Sequence, residues 1–269
     1  MIARLRQAAG GGAVALGVDF PVGLPRAFAA RYAGAADFPA FLRALADRPE
    51  FFRVCASLGE VAPDRPFYPA RGIAGMTRAA HAAALGFDGA AALSRACDRA
   101  TSERPAGAPL FWTLGANQTG KAAIAAWRDL LLPALAAAVP PRLWPFHGDL
   151  RALLTPGAVA VAETYPAEAL RHLGLRLKGS KRRQSDRAAI GPALRAAMAA
   201  LHAGAGRGLA RMIDDGFGTD AAGEDRFDSL LGVLAVINVL AGNRPDGTPD
   251  DPWLRRWEGW VLGQTALPG

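Results

Sequence analysis

The sequence predicts an α/β layered domain, on three observations. Residues 13–19, AVALGVD, form an apolar run that ends in an acid and precedes Pro21, Gly23 and Pro25. Residues 158–163, AVAVAE, repeat that design, with Tyr165-Pro166 as the stop. Both read as buried strands followed by stiff turns. Most of the remaining chain carries an Ala/Leu/Arg helical pattern, and strands separated by helices build a sheet with helices packed on it. The 269 residues are 51% apolar and 20% charged, enough to fill a core, which excludes wholesale disorder.

Taken in order, a helical segment follows Met1 almost at once and leads into the first strand. Residues 27–140 are expected to form a large, mainly helical insertion broken by Pro and Gly, with one short strand at Pro109–Leu114. After the second strand, a short helix runs from Pro166 to about Leu173 and enters a basic loop. Helical patterns cover 190–213 and 226–241, and the tail DPWLRRWEGWVL reads as a last short helix. Within it, Trp253, Trp257 and Trp260 fall at helical spacing, a stripe that suits core packing and could also stack bases. No repeat at solenoid or propeller period occurs, and residues 1–269 read as one domain. No uncharged run reaches the roughly 18–20 residues of a membrane span. Arg4 and Arg6 lead into Ala-Ala-Gly-Gly-Gly rather than an export signal, and Cys55 and Cys97 are too few for a disulfide framework. A soluble cytoplasmic protein without a membrane partner is expected.

The net charge of +7 is unevenly placed. From Arg171 to Arg187 seven basic residues face one acid; from Asp214 to Asp228 six acids face one base. The pair suits a metal-dependent enzyme acting on a polyanion, and equally two solvated surfaces. Asp19 and Glu163 end the two strands, where α/β sheets place their ligand crevice. Asp225 and Asp228 share a helix face at i and i+3. Converging carboxylates hold Mg²⁺ or Mn²⁺, because hard cations take several oxygen ligands. Each acid also has a plainer reading: Asp19 as a turn residue before Pro21, and the Asp225/Asp228 pair as helix caps. Glu163 fits no capping or turn rule. GANQTGK, residues 115–121, imitates a phosphate loop but has Ala122 where a hydroxyl is needed.

The motifs GVDFPVGLP (17–25), RACDRAT (95–101), WPFHGDL (144–150), AETYPAEAL (162–170), KGSKRR (178–183), DRFDSLLGVLAV (225–236) and EGWVL (258–262) occur in that order. Together they resemble domain-of-unknown-function family 429, a group regarded as nucleases of RNase H-like fold. The resemblance implies a mixed sheet flanked by helices, with Asp19, Glu163, Asp225 and Asp228 as metal ligands and Asp19, Glu163 and Asp228 as the catalytic set. Lys178, Lys181, Arg182 and Arg183 would face the phosphate backbone without reading sequence. The family's usual opening, an antiparallel strand set whose first strand carries a further Asp in a GxD-type motif, has no counterpart before Asp19. Either the sequence starts late or those strands are truly absent, and in the second case a central strand and one ligand are missing.

The function expected is metal-dependent phosphodiester hydrolysis of nucleic acid. The alternatives are a non-catalytic nucleic-acid-binding or scaffold protein of the same fold, and a nucleotide phosphotransferase using the 115–121 loop. If the acids repel one another, Glu163→Gln is expected to leave the fold at least as heat-stable as the parent.

Overall fold

A computed structural model of the chain describes residues 1–72, 74–115 and 118–269. Among these residues the sheet has three strands, β1 (Val14–Val18), β2 (Arg142–Leu143) and β3 (Val159–Glu163), in the order β1-β3-β2, with twelve α-helices. Both pairings are parallel, so the described sheet is not mixed as expected. The segment before β1 is a helix, Ile2–Ala8, whose Ile2 is buried. The two acid-ended runs are strands as predicted. β2 was not predicted: two residues between Pro-Pro and Trp-Pro are too few to show a period. Conversely, 109–114 forms no strand, and Trp112 makes only an isolated bridge to Tyr68.

The two-residue period of β3 decides the packing. Val159 and Val161 enter a large cluster built on Phe28, Phe38, Phe51, Phe67, Phe111 and Trp127 from the segment between β1 and β2. That segment consists of short helices and 3₁₀ turns joined by irregular stretches. Ala160 and Ala162 face the other way, into a cluster with Trp144, Val236, Val239 and Trp260. On this face the long helix Gly223–Leu240 lies against β1. Small residues permit the approach: a Cβ on Gly17 would stand 3.0 Å from both Thr164 Cγ2 and Val236 Cγ2, and 3.3 Å from the Gly232 carbonyl. The helix thus points its N-terminus toward the carboxyl ends of the strands.

A third cluster joins the first half of this helix to Gly191–Ala200 and Arg207–Asp214 through Phe227, Leu231, Leu194 and Ile213. The single pattern expected at 190–213 is two helices, separated around Gly204 and Gly206. The tail makes a π-helical turn, Leu254–Glu258, which stops at Gly259 with φ +66°. Trp260 therefore leaves the stripe, and Trp257 and Trp260 are buried in different clusters. Among the described residues no helix is long and apolar enough to cross a membrane.

Close packing at Gly17 makes a direct expectation. Gly17→Val should destabilise the protein by about 1–3 kcal/mol through overpacking, read as a lowered midpoint in urea unfolding with unchanged slope.

Candidate active site

A cleft of about 450 Å³ opens at the carboxyl ends of the strands, lined by Asp19, Glu163, Thr164, Tyr165, Lys181, Glu224 and Asp228 among others. Three of the four predicted acids therefore meet in one place. They arrive from different faces. Val18 is in register with Glu163, so Asp19 lies one position on and shares the face of Gly17, toward the long helix. Glu163 lies on the opposite face.

There Glu163 is fully engaged. Arg95 Nη1 donates to its Oε2 and Nη2 to its Oε1, both at 2.6 Å, and the Val22 amide donates to Oε2 at 2.7 Å. Arg95 also grips Asp98 through Nε (2.8 Å) and Nη2 (3.0 Å). The Arg95 side chain is 1% exposed and that of Glu163 8%. Burial raises the Glu163 carboxyl, and the charged guanidinium opposes that rise. Glu163, expected as a metal ligand, is thus committed to a buried ion cluster. Its second role is positional: holding Val22 fixes the turn that carries Asp19, which Trp127 also anchors by donating to the Pro21 carbonyl at 2.7 Å.

Asp19 is different. Its surface opens to the cleft, and no hydrogen bond or ion pair engages its carboxylate among the described residues. The protein mass around it, then the negative charge of Asp228, push its pKa up to about 7, with Lys181 opposing. Asp228 accepts from Lys181 Nζ at 2.5 Å through Oδ2, while its Oδ1 is buried without a partner among the described residues. Burial also raises its pKa, against the pull of Lys181. Glu224 stands 3.4 Å from the same ammonium. Asp225 is exposed and does not line the cleft. Neither acid of the pair caps the helix, whose N-cap is Ala222 without a side-chain bond.

The basic loop is placed by Arg187, a buried guanidinium that donates to three carbonyls: Lys181 (2.5 Å), Gly216 (2.8 Å) and Gly218 (2.7 Å). A Cβ on Gly223 would collide with this guanidinium, so glycine is required there. Lys181, expected on phosphate, is engaged by Asp228 and Glu224. Lys178, Arg182 and Arg183 remain exposed, and Arg183 is held by Asp186 at 2.7 Å.

A family model described as "Protein of unknown function (DUF429)" matches residues 1–252. The chain belongs to that family. No curated protein and no solved structure matches it.

Several residues of this DUF429 member's cleft escaped sequence reasoning, Arg95, Asp98, Arg104 and Glu224 foremost. RACDRAT was visible as a motif, yet nothing local shows that Arg95 meets an acid 68 positions away. Gln118 and Thr119 of GANQTGK border the cleft, and a helix starts at Thr119. Ala116 and Asn117 lie outside the described residues, and the strand that a phosphate loop requires does not precede them.

Beside the cleft, Glu103, Glu168 and His172 place three ligand atoms within 4.8 Å of one another; Asp19, Glu163, Asp225 and Asp228 form no such group. Two guanidiniums already neutralise Glu168, whose Oε1 lies 2.7 Å from Arg104 Nε and 2.5 Å from Arg171 Nη2. Burial raises this carboxyl, but His172 and Arg171 outweigh it and bring the pKa down to about 2.

Two outcomes are expected. Arg95→Met should cost about 3–5 kcal/mol, because it strands a buried carboxylate; Glu163→Gln should also destabilise, reversing the expectation from repulsion alone. Urea melts of both variants check this. Glu168 binds fewer protons folded than unfolded, so its contribution is present above pH 4.5 and is lost as pH falls toward 2. Glu168→Gln should therefore flatten the acid limb of a stability–pH curve, by up to about 3 kcal/mol at 1.36 kcal/mol per unit.

Proposed function

We propose that the strand-end cleft is the active site of a divalent-cation-dependent phosphodiesterase acting on nucleic acid, built on an RNase H-like sheet with residues 27–140 inserted into it. The observation that carries this reading is the pair Asp19 and Asp228. Two carboxylates from separate elements meet in one cleft, Asp19 open to it and Asp228 Oδ1 buried without a partner among the described residues. An all-oxygen donor set suits Mg²⁺ or Mn²⁺. Asp19 and Asp228 would hold the ion, with Glu224 beside them, and the Lys181 ammonium is the charge it would displace. Such an ion, when bound, supplies charge stabilisation at a phosphoryl oxygen.

The chain's own groups supply the rest. Arg95 and Glu163 keep the turn after β1 in place. The pKa of Asp19, raised to about 7 beside Asp228, marks the negative charge that a bound cation would offset. Of the basic loop Lys181 lines the cleft; Lys178, Arg182 and Arg183, exposed on the same loop, would meet a phosphate backbone, and Lys181 would join them once it leaves Asp228. The free cysteines Cys55 and Cys97, both buried, suit a cytoplasmic setting.

One observation favours a non-catalytic nucleic-acid-binding protein instead. Lys181 already neutralises Asp228, as a structural ion pair would. Thermal melts with and without Mn²⁺, run beside a cleavage assay, separate the two. The enzyme reading expects stabilisation by the ion, and cleavage reduced at least about 100-fold by Asp19→Asn or Asp228→Asn, since even outer-shell partners of a metal cost 10–100-fold. Nucleic-acid binding with neither effect supports the binding protein.

A further inference from the structure

At the opposite, amino end of the sheet a second pocket of about 660 Å³ is lined by Arg6, Arg43, Arg142 and His147, with Val139 and Pro140 on one wall. A five-residue strand separates it from the cleft by roughly 17 Å. No acid lines it. Arg6 is structural: its Nε donates to the Gly157 carbonyl (2.9 Å) and its Nη2 to that of Val139 (2.8 Å), which ties two walls together. Arg43 and Arg142 are exposed, and among the described residues neither makes an ion pair or hydrogen bond. Asp37, the acid that acts on His147, is occupied as the cap of helix Phe38–Ala44, accepting from the Ala40 amide at 2.8 Å.

His147 comes from WPFHGDL, a motif that the cleft does not use. The Leu143 amide donates to its Nδ1 at 2.7 Å, while its own amide donates to the Leu143 carbonyl at 3.0 Å. An accepting Nδ1 sets the neutral tautomer with the proton on Nε2, so the ring's remaining nitrogen is a donor. Burial, then the nearby charges of Arg43 and Arg142, hold the ring below its ordinary pKa. Two exposed guanidiniums and the Nε2–H donor therefore line one concavity beside the Thr155 hydroxyl, with Asp37 the acid that acts on His147, and an anion relieves the repulsion between the two cations.

Guanidinium forks match phosphate oxygens bidentately, which selects this anion over a halide. The wall beside them is apolar, and Val139 is 55% exposed. We propose that this pocket binds an organic phosphomonoester: Arg43 and Arg142 take the phosphate, His147 Nε2 donates a third hydrogen bond, and the Val139–Pro140 wall receives the apolar body. The site stands apart from the cleft and does not rest on the nuclease reading.

Isothermal titration of the full chain with adenosine 5′-monophosphate and, separately, with inorganic phosphate tests it, together with the NMR shift of the His147 Cε1 proton. Saturable binding of the nucleotide, tighter than that of phosphate and accompanied by a His147 shift, is expected. The double variant Arg43→Ala/Arg142→Ala should weaken it roughly tenfold or more, through loss of charge-assisted bonds, while Arg211→Ala, an exposed arginine elsewhere, leaves it unchanged. Circular dichroism melts establish that the double variant is folded. Absence of saturable binding, equal affinity for the two anions, or undiminished affinity in the folded double variant would each overturn the assignment.

Discussion

The Arg95 guanidinium, buried against Glu163 and Asp98, holds together the segments that make the cleft. Its N–H groups are shared between the two carboxylates, with a longer contact to the Glu258 carbonyl. Glu163 in turn holds the turn after β1, and the Glu258 carboxylate receives the amides of Arg26 (2.8 Å) and Ala96 (3.2 Å). Four stretches distant in sequence, the end of β3, residues 20–26, residues 95–98 and the tail turn, are locked through these groups. Such a cluster is expensive to desolvate and stands only because nearly every lone pair and proton in it is matched. Its rigidity gives Asp19 a defined position beside the long helix.

A different balance holds on the other face of the sheet. Gly17 and Gly232 let the helix approach β1, and that approach brings Asp228 to Asp19. Two carboxylates in a partly desolvated cleft repel, and one lysine offsets part of the cost. Arg187 fixes that lysine's backbone by binding its carbonyl, so the loop stays in place while the four-carbon side chain retains freedom to move. Burial raises all three carboxyls, but Glu163 is matched by Arg95 and the Val22 amide, whereas Asp228 has a lysine on one oxygen alone. Strand-end acids of similar appearance in the sequence thus have different partners: Glu163 a buried guanidinium, Asp19 the open cleft.

The sequence made both long strands legible, because an apolar run closed by an acid and a proline-bearing turn leaves few alternatives. It also showed the long helix at 226–241 and its acids. What it hid was relational. Register is one case: a pairing shifted by one residue would have put Asp19 and Glu163 on the same face, and nothing in AVALGVD or AVAVAE states which pairing forms. Partnership is another, since Glu163 looked free of structural duty only because its arginine lies far along the chain. Lys181 likewise reads as a phosphate contact until the fold places it on Asp228. Short elements fall below any periodic signal, as Arg142–Leu143 does, and a break at two glycines divides what pattern alone joins at 190–213.

The cation site proposed for this cleft belongs to Asp19 and Asp228, while Glu163 serves Arg95. Anomalous diffraction from crystals soaked in Mn²⁺ tests it most directly. A peak bonded to Asp19 and Asp228 is expected, with Lys181 moved away and the Arg95–Glu163 pair intact. A peak ligated by Glu163 with Arg95 displaced, or Mn²⁺ bound at Glu103, Glu168 and His172 with none in the cleft, would contradict it.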